Sequence, residues 1–317
     1  MKDRKGLQSG AYQIKNSIMS RNRATLIGFT AVLQWALLAL FTIGSAPVPP
    51  LLLNAMCFAI GGTLGLIWML VTRRAYVLKT VPIGVFAFGT IGLFGAHFLY
   101  FTAFRMAPLA ETGLIAYLWP LIIVLMSGLL PGERLLPLHI LGALVAFSGA
   151  ALIVLKGGSA LDAGALPGFG VAFIFALVWA SYSVLSRRLG DVPTESVTVF
   201  CLAAAVLSAL SHLALETTVW PQTTLAWASV VALGVGPVGL AFFTWDVGMK
   251  RGDIQLLGVA SYAAPLLSTI ALVATGITAA STTILVAAGL IAGGAALAAR
   301  ASARGASAKK ITPATGA

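Results

Sequence analysis

Charged residues are scarce in this 317-residue chain: Asp, Glu, Lys and Arg together make up 9% of it. A domain that folds in water carries about 25%, so a soluble protein is excluded. Acidic residues are the rarer charge, nine against twenty Lys and Arg, and none of the four types falls in the middle third of any long apolar run. Cysteine is limited to Cys57 and Cys201, both inside such runs, which leaves no disulfide framework and no cysteine metal site. There is no His-Glu-x-x-His, no Gly-x-Ser-x-Gly and no Walker phosphate loop, so the usual zinc, nucleophile-elbow and nucleotide chemistries lack their residues. Nor is there a basic stripe interleaved with aromatics, which argues against nucleic acid as a partner. No metal, cofactor or catalytic residue is therefore expected.

What the chain has in quantity is apolar surface: 59% hydrophobic residues and a mean hydropathy of +0.98. A membrane helix needs about 20 apolar residues to cross about 30 Å of hydrocarbon. Ten runs meet that length: Ala24 to Gly44, Leu51 to Val71, Val81 to Phe104, Thr112 to Leu130, Leu135 to Leu155, Leu166 to Leu185, Ser196 to Leu215, Gln222 to Trp245, Ile254 to Thr275 and Ala279 to Ala299. The last two are continuous and would measure about 69 Å as one helix, so the chain must fold back, at Gly276. Barrel strands would alternate apolar and polar over about 10 residues, and these runs do not. The expected fold is an all-α bundle of ten transmembrane helices. The first run is longer than the roughly 7–15-residue apolar core of a signal peptide and is read as a retained span.

Lys and Arg assign the sides. With ten spans, eighteen of the twenty fall on one side: the amino-terminal tail, Arg73, Arg74, Lys79, Arg134, Arg187, Arg188, Lys250, Arg251 and the carboxy-terminal group. Only Arg105 and Lys156 fall on the other. The positive-inside rule then puts both termini in the cytoplasm, and the basic side faces anionic lipid. The expected layout is a tail over 1–23, a first five-helix unit over 24–156, an outer linker over 157–165, a second unit over 166–299 and a tail over 300–317. The ends, 1–20 and 301–317, are not expected to fold.

The two units repeat each other. Tyr117-Leu-Trp-Pro120-Leu121 matches Tyr262-Ala-Ala-Pro265-Leu266, and Gly149-Ala-Ala-Leu152 matches Gly294-Ala-Ala-Leu297, both at an offset of 145 residues. Five helices is an odd number, so the second copy enters the membrane from the opposite side. Inverted repeats of this kind can rock around a central cavity between inward-open and outward-open forms, which points to a transporter.

Tyr117-Leu-Trp-Pro120, Val178-Trp-Ala-Ser-Tyr182, Trp245-Asp-Val-Gly-Met-Lys-Arg-Gly252 and Ser261-Tyr262 with Pro265 resemble the EamA branch of the drug/metabolite transporter superfamily, over about residues 23 to 300. The resemblance implies ten helices around a central cavity, a place in the bacterial inner membrane and export of amino acids from the cytoplasm. It departs at Ala96-His97 in the third run, where the related pattern carries a Tyr-Glu pair, which bears on substrate preference and proton dependence.

Several residues could carry that transport. His97 is the one ionisable group well inside a run, and it shares a helical face with Tyr100 and Phe101. Trp35, Tyr117, Trp119, Trp179, Tyr182 and Tyr262 could complete an aromatic cage, since rings bind rings by stacking and edge contacts and bind ammonium by cation–π attraction. Trp68, Trp220 and Trp227, near run ends, suit the interfacial belt. Pro120 and Pro265 cannot donate to the carbonyls of Ala116 and Ser261. They would mark kinks or gating hinges, and the freed carbonyls could meet a substrate ammonium. No deep carboxylate or deep Lys or Arg is seen, so the substrate is expected to be neutral or zwitterionic, and transport facilitative. The expected substrates are amino acids, aromatic and other neutral ones, and the protein is expected to act as a monomer in the bilayer. Its rivals are a proton-coupled antiporter of the same fold, a membrane-embedded enzyme, or a non-transporting scaffold.

Overall fold

The structure, a computed structural model, describes residues 19–155, 163–277 and 279–311. The tail cations Lys2, Arg4, Lys5 and Lys15, together with Lys156 and residues 157–162 of the expected linker, lie outside that set. The described residues form ten apolar helices in chain order: α1 (Arg21–Gly44), α2 (Pro50–Val71), α3 (Ile83–Met106), α4 (Glu111–Ser127), α5 (Pro137–Val154), α6 (Leu166–Leu189), α7 (Ser196–Leu215), α8 (Thr224–Arg251), α9 (Ile254–Ala274) and α10 (Thr282–Ile311). Nine are long and apolar enough to cross a membrane, and α4 is shorter.

The helix ends follow from local chemistry. Ser20, Thr223 and Asp253 cap α1, α8 and α9, each side chain accepting the backbone N–H three residues ahead. Pro50 and Pro137 open α2 and α5, where the missing N–H costs nothing. Gly276 (φ +74°) makes the reversal between α9 and α10, in the left-handed region that glycine enters without strain.

Two ends differ from the sequence expectation. α8 does not stop at Trp245 but continues to Arg251, because Asp246 and Lys250 lie one turn apart and neutralise each other. α10 runs on to Ile311 where an unfolded tail was expected from residue 301. The added stretch is rich in Ala, Arg and Lys, good helix formers, and its first proline is Pro313.

Interruptions recur between the halves. A wide π turn interrupts α3 at Ile91–Gly95 and α8 at Gly236–Leu240, positions 145 residues apart. α4 breaks after Ala116, before its second segment Trp119–Ser127, and α9 between Ile254–Ala260 and Ala263–Ala274. α1 also breaks, after Trp35, with no counterpart in α6.

Packing repeats in the same way. α1 lies on α8 and α3 on α6, while α2 pairs with α7, α4 with α9 and α5 with α10. Exchanging the halves turns the first pair into the second and leaves the other three unchanged. A Cβ on Gly142 would sit 2.6 Å from the Gly294 carbonyl, and one on Gly149 would sit 2.9 Å from that of Ala287. At the offset of 145 these two contacts are images of each other, so α5 and α10 meet backbone to backbone through small residues.

α1, α6 and α8 pack closely at one end, here called the tight end. α1 buries Ala24, Gly28, Ala31 and Val32 before its break but no residue from Leu38 to Gly44. Near the tight end α6 buries Tyr182 to Val184 and Ser186, and α8 buries Trp245, Asp246 and Gly248 to Lys250. Trp68, Trp220 and Trp227 stand exposed on the outside of the bundle.

Candidate functional site

Four tryptophans from four helices meet where α1 and α4 break. Trp35 ends the first segment of α1, Trp119 opens the second segment of α4, and Trp179 and Trp245 come from α6 and α8. Ring centroids lie 6.1 Å apart for Trp35 and Trp119, 6.0 Å for Trp35 and Trp179, 5.1 Å for Trp35 and Trp245, 6.3 Å for Trp119 and Trp179, and 5.8 Å for Trp119 and Trp245. All but the Trp35–Trp245 pair are edge-to-face, the arrangement the ring quadrupole favours. Two of these rings come from each half of the chain. Trp119, Trp179 and Trp245 are buried, while Trp35 is half-buried.

Two of their N–H groups, those of Trp35 and Trp245, are anchored. Trp35 Nε1 donates to the Pro237 carbonyl at 3.0 Å, in the wide turn of α8. Trp245 Nε1 donates to Ser183 Oγ of α6 at 3.0 Å. Beside Trp35, Gln34 Nε2 donates to Thr30 O at 3.1 Å, but its Oε1 is buried with no hydrogen-bond partner. A buried acceptor left unmade is costly, which makes Gln34 a polar handle beside the rings.

His97 sits at the rim of this cluster. Its ring lies 5.0 Å from Phe58 of α2 and 5.6 Å from Phe242 of α8, and Phe242 in turn lies 5.8 Å from Trp179. A carbonyl only accepts, so His97 Nδ1–H donates to Leu93 O at 2.8 Å, in its own helix. Tyr182 stacks on Trp179 at 5.5 Å and on Phe88 at 5.5 Å.

The other expected residues lie elsewhere. Tyr100 belongs to a second ring group, 4.5 Å from Phe104 and 5.2 Å from Phe175. Tyr117 is half-buried at the break of α4. Tyr262 is fully buried 5.8 Å from Phe147, in the core between α4, α5, α9 and α10, and its hydroxyl accepts the Leu121 N–H at 3.1 Å. It thereby satisfies a donor beside the Pro120 break. The Ser261 carbonyl that Pro265 was expected to free accepts the Ala264 N–H at 3.1 Å, so it is already partnered within its own turn.

Trp245, Phe242, Phe58 and Gln34 were not singled out from the sequence. Yet at the offset of 145, Phe242 and Trp245 are the counterparts of His97 and Tyr100, and Gln34 is the counterpart of Trp179. Carrying each candidate across the repeat would have found three of the four.

The expectation that no carboxylate is buried is corrected. Asp246 is 3% exposed and Glu111 8%, and the Glu216 and Glu133 side chains are also buried. Glu111 is covered in the first turn of α4. Three of these carboxylates are tolerated because cations and N–H groups surround them. At the tight end, Arg187 joins Glu133 at 2.5 Å and donates to the carbonyls of Met249 and Gly252, and Arg21 reaches Glu133 at 3.0 Å and Asp253 at 3.5 Å. Lys250 pairs with Asp246 at 2.9 Å and donates to Val192 O, while Thr194 donates to Asp246. At the other end Glu216 accepts from the backbone of Leu51 and Leu52, lies beside His212 and pairs with Arg105. None of these carboxylates belongs to the ring cluster. Among the described residues no group of three or more His, Cys, Asp or Glu could hold a metal ion.

The EamA-like transporter family matches residues 22–155. The chain is 51% identical over 282 residues to the aromatic amino acid exporter YddG of Ancylobacter novellus, covering 88% of this chain and 98% of that protein. It is 26% identical over 264 residues to the aromatic amino acid exporter YddG of Salmonella typhimurium, covering 79% and 87%. One crystal structure superposes with a TM-score of 0.84 at 52% sequence identity, covering 88% of this chain and 98% of that one.

Proposed function

The chain belongs to the EamA-like transporter family of the drug/metabolite transporter superfamily, and from that premise we propose that it exports neutral amino acids, aromatic ones foremost. The observation that carries this reading is the four-tryptophan cluster built from both halves at the helix breaks. Indole edges and faces accept another aromatic ring, and they attract an ammonium group by about 0.5–2 kcal/mol. The rings of Trp35, Trp119 and Trp179 hold the apolar side chain, with Trp245 as the floor. His97 Nε2 and Gln34 Oε1 offer polar contacts to the zwitterion, and Tyr182 extends the site towards the tight end. Tyr100 and Tyr117 flank the outer approach. Tyr262 positions the Pro120 break.

Transport proceeds by alternating access, the two halves rocking about the cluster, with the breaks at Pro120 and Pro265 as hinges. Both termini and the tight end face the cytoplasm of the inner membrane. The tight end is where Arg21, Arg187 and Lys250 gather, in keeping with the positive-inside rule. The cluster contains no carboxylate to exchange a proton for the substrate, so transport is facilitative. Its residues all come from one chain, so a monomer suffices.

The test is efflux from proteoliposomes loaded with labelled tryptophan, threonine or a cationic dye, with and without an imposed pH gradient. Tryptophan efflux that needs no gradient is expected. Gradient-dependent dye movement without amino acid flux would overturn the substrate assignment.

A further inference from the structure

Below the tryptophan cluster, towards the tight end, lies a second polar site. Phe88 of α3, Tyr182 and Ser186 of α6, Ser196 of α7, and Asp246 and Lys250 of α8 line one small cavity, with room here for at most about one water molecule. Asp246 and Lys250, one turn apart on α8, form part of its wall in direct contact at 2.9 Å, with side chains only 2% and 4% exposed. Ser196 Oγ, on a residue with no exposed surface, has no hydrogen-bond partner. A buried ion pair gains little stability over an apolar filling, and a buried hydroxyl left unmade costs stability. The arrangement is thus poor as packing and well suited to taking a guest.

The guest that fits is a zwitterion. We propose that this cavity is an inner docking site for the ammonium and carboxylate of an α-amino acid entering from the tight end, separate from the tryptophan cluster. Asp246 receives the ammonium, Lys250 the carboxylate, and Ser196 Oγ a hydrogen bond from or to either group. One ion pair within the protein is exchanged for two with the substrate, so charge stays balanced and no buried charge is stranded. Phe88, Tyr182 and Trp179 form a continuous stack, each neighbouring pair 5.5 Å apart at 30°, along which an aromatic side chain passes to the cluster. In this conformation the connection between α6 and α7 closes the site, because Val192 O accepts from Lys250 and Thr194 donates to Asp246. The proposal rests on the reading that the substrate is an amino acid.

It is tested with labelled tryptophan and sided proteoliposomes. Ser196→Ala removes a hydroxyl that makes no bond here, so folding should be unaffected, and a melting curve in detergent checks this. The expected result is a KM about three- to tenfold higher for tryptophan presented at the tight end, with the KM at the opposite face unchanged. In the unaltered chain, tryptamine and indole-3-propionate, each lacking one charge, should compete at the tight end at least about tenfold more weakly than tryptophan, the loss of one charged hydrogen bond. An unchanged KM in Ser196→Ala, or analogues that compete as well as tryptophan, would overturn the docking site while leaving export intact. No tryptophan flux in the unaltered chain would overturn both.

Discussion

The indole N–H of Trp35 donates to the carbonyl oxygen of Pro237 across 3.0 Å, so a ring from the first half is held by the wide turn that interrupts α8 in the second. Such turns displace backbone carbonyls from their ordinary helical partners, and here one of them fixes a tryptophan. Trp35→Phe keeps most of the ring and removes the donor, leaving the buried Pro237 acceptor unpaired at a cost of about 1–3 kcal/mol. A lower melting temperature in detergent is expected, and an unchanged one would show that the bond adds nothing.

Trp119→Ala removes the ring that meets Trp35, Trp179 and Trp245 edge-on. At about 0.5–1.5 kcal/mol per aromatic contact, the KM for tryptophan efflux should rise about tenfold or more, with a smaller change for threonine, which has no ring to hold. Equal losses for both substrates would point to a folding defect instead.

Glu133→Gln weakens the junction in which Arg21 and Arg187 share one carboxylate while Arg187 also holds the carbonyls of Met249 and Gly252. This junction ties the connection after α4 to the ends of α1, α6 and α8, closing the tight end. Faster maleimide labelling of a Ser183→Cys reporter from the tight-end side is expected in the variant. Labelling at the unaltered rate would rule out Glu133 as a latch.

Stability on acidification should follow Glu216. Desolvation works against its charge, but the His212 ring, the Leu51 and Leu52 N–H groups and Arg105 outweigh it, and its carboxyl is held below the ordinary value. A group whose folded pKa is depressed adds stability above its unfolded pKa and loses it as pH falls through the folded one. Glu216→Gln should therefore melt lower than the unaltered chain at pH 7, and the gap should close as the pH falls below the carboxylate range. A gap that widens in acid would contradict this account.

Gly28→Ala should destabilise by about 1–3 kcal/mol through overpacking, since its Cβ would lie 2.8 Å from the Cα of Gly248 where α1 crosses α8. Gly289→Ala, with nothing within 4 Å of the new atom, is the control and should melt no lower than the unaltered chain.

The sequence by itself determined the solvent, the helix count and the doubling. A chain with 9% charged residues whose long apolar runs do not alternate can hide its backbone from lipid only in helices, where each N–H and C=O is paired within its own segment. Uncharged run lengths then set the number of crossings, and the offset of 145 linked the two halves. Trp35, Trp119 and Trp179 were legible as a cage because aromatic residues near mid-span are poorly placed for the interface.

Only the tertiary structure decided which rings meet. Tyr262 and Trp179 look alike as mid-span aromatics, yet one supports the α4 break in a separate core and the other joins the cluster. The helical face a residue occupies depends on breaks and wide turns that shift its register, and composition does not report these shifts. The same holds for charge. In sequence, Asp246 and Glu216 directly follow the apolar runs Gln222 to Trp245 and Ser196 to Leu215. The fold buried both by bringing Lys250, Arg105 and backbone donors to them, because a charge is tolerated away from water only when partners arrive from elsewhere in the chain.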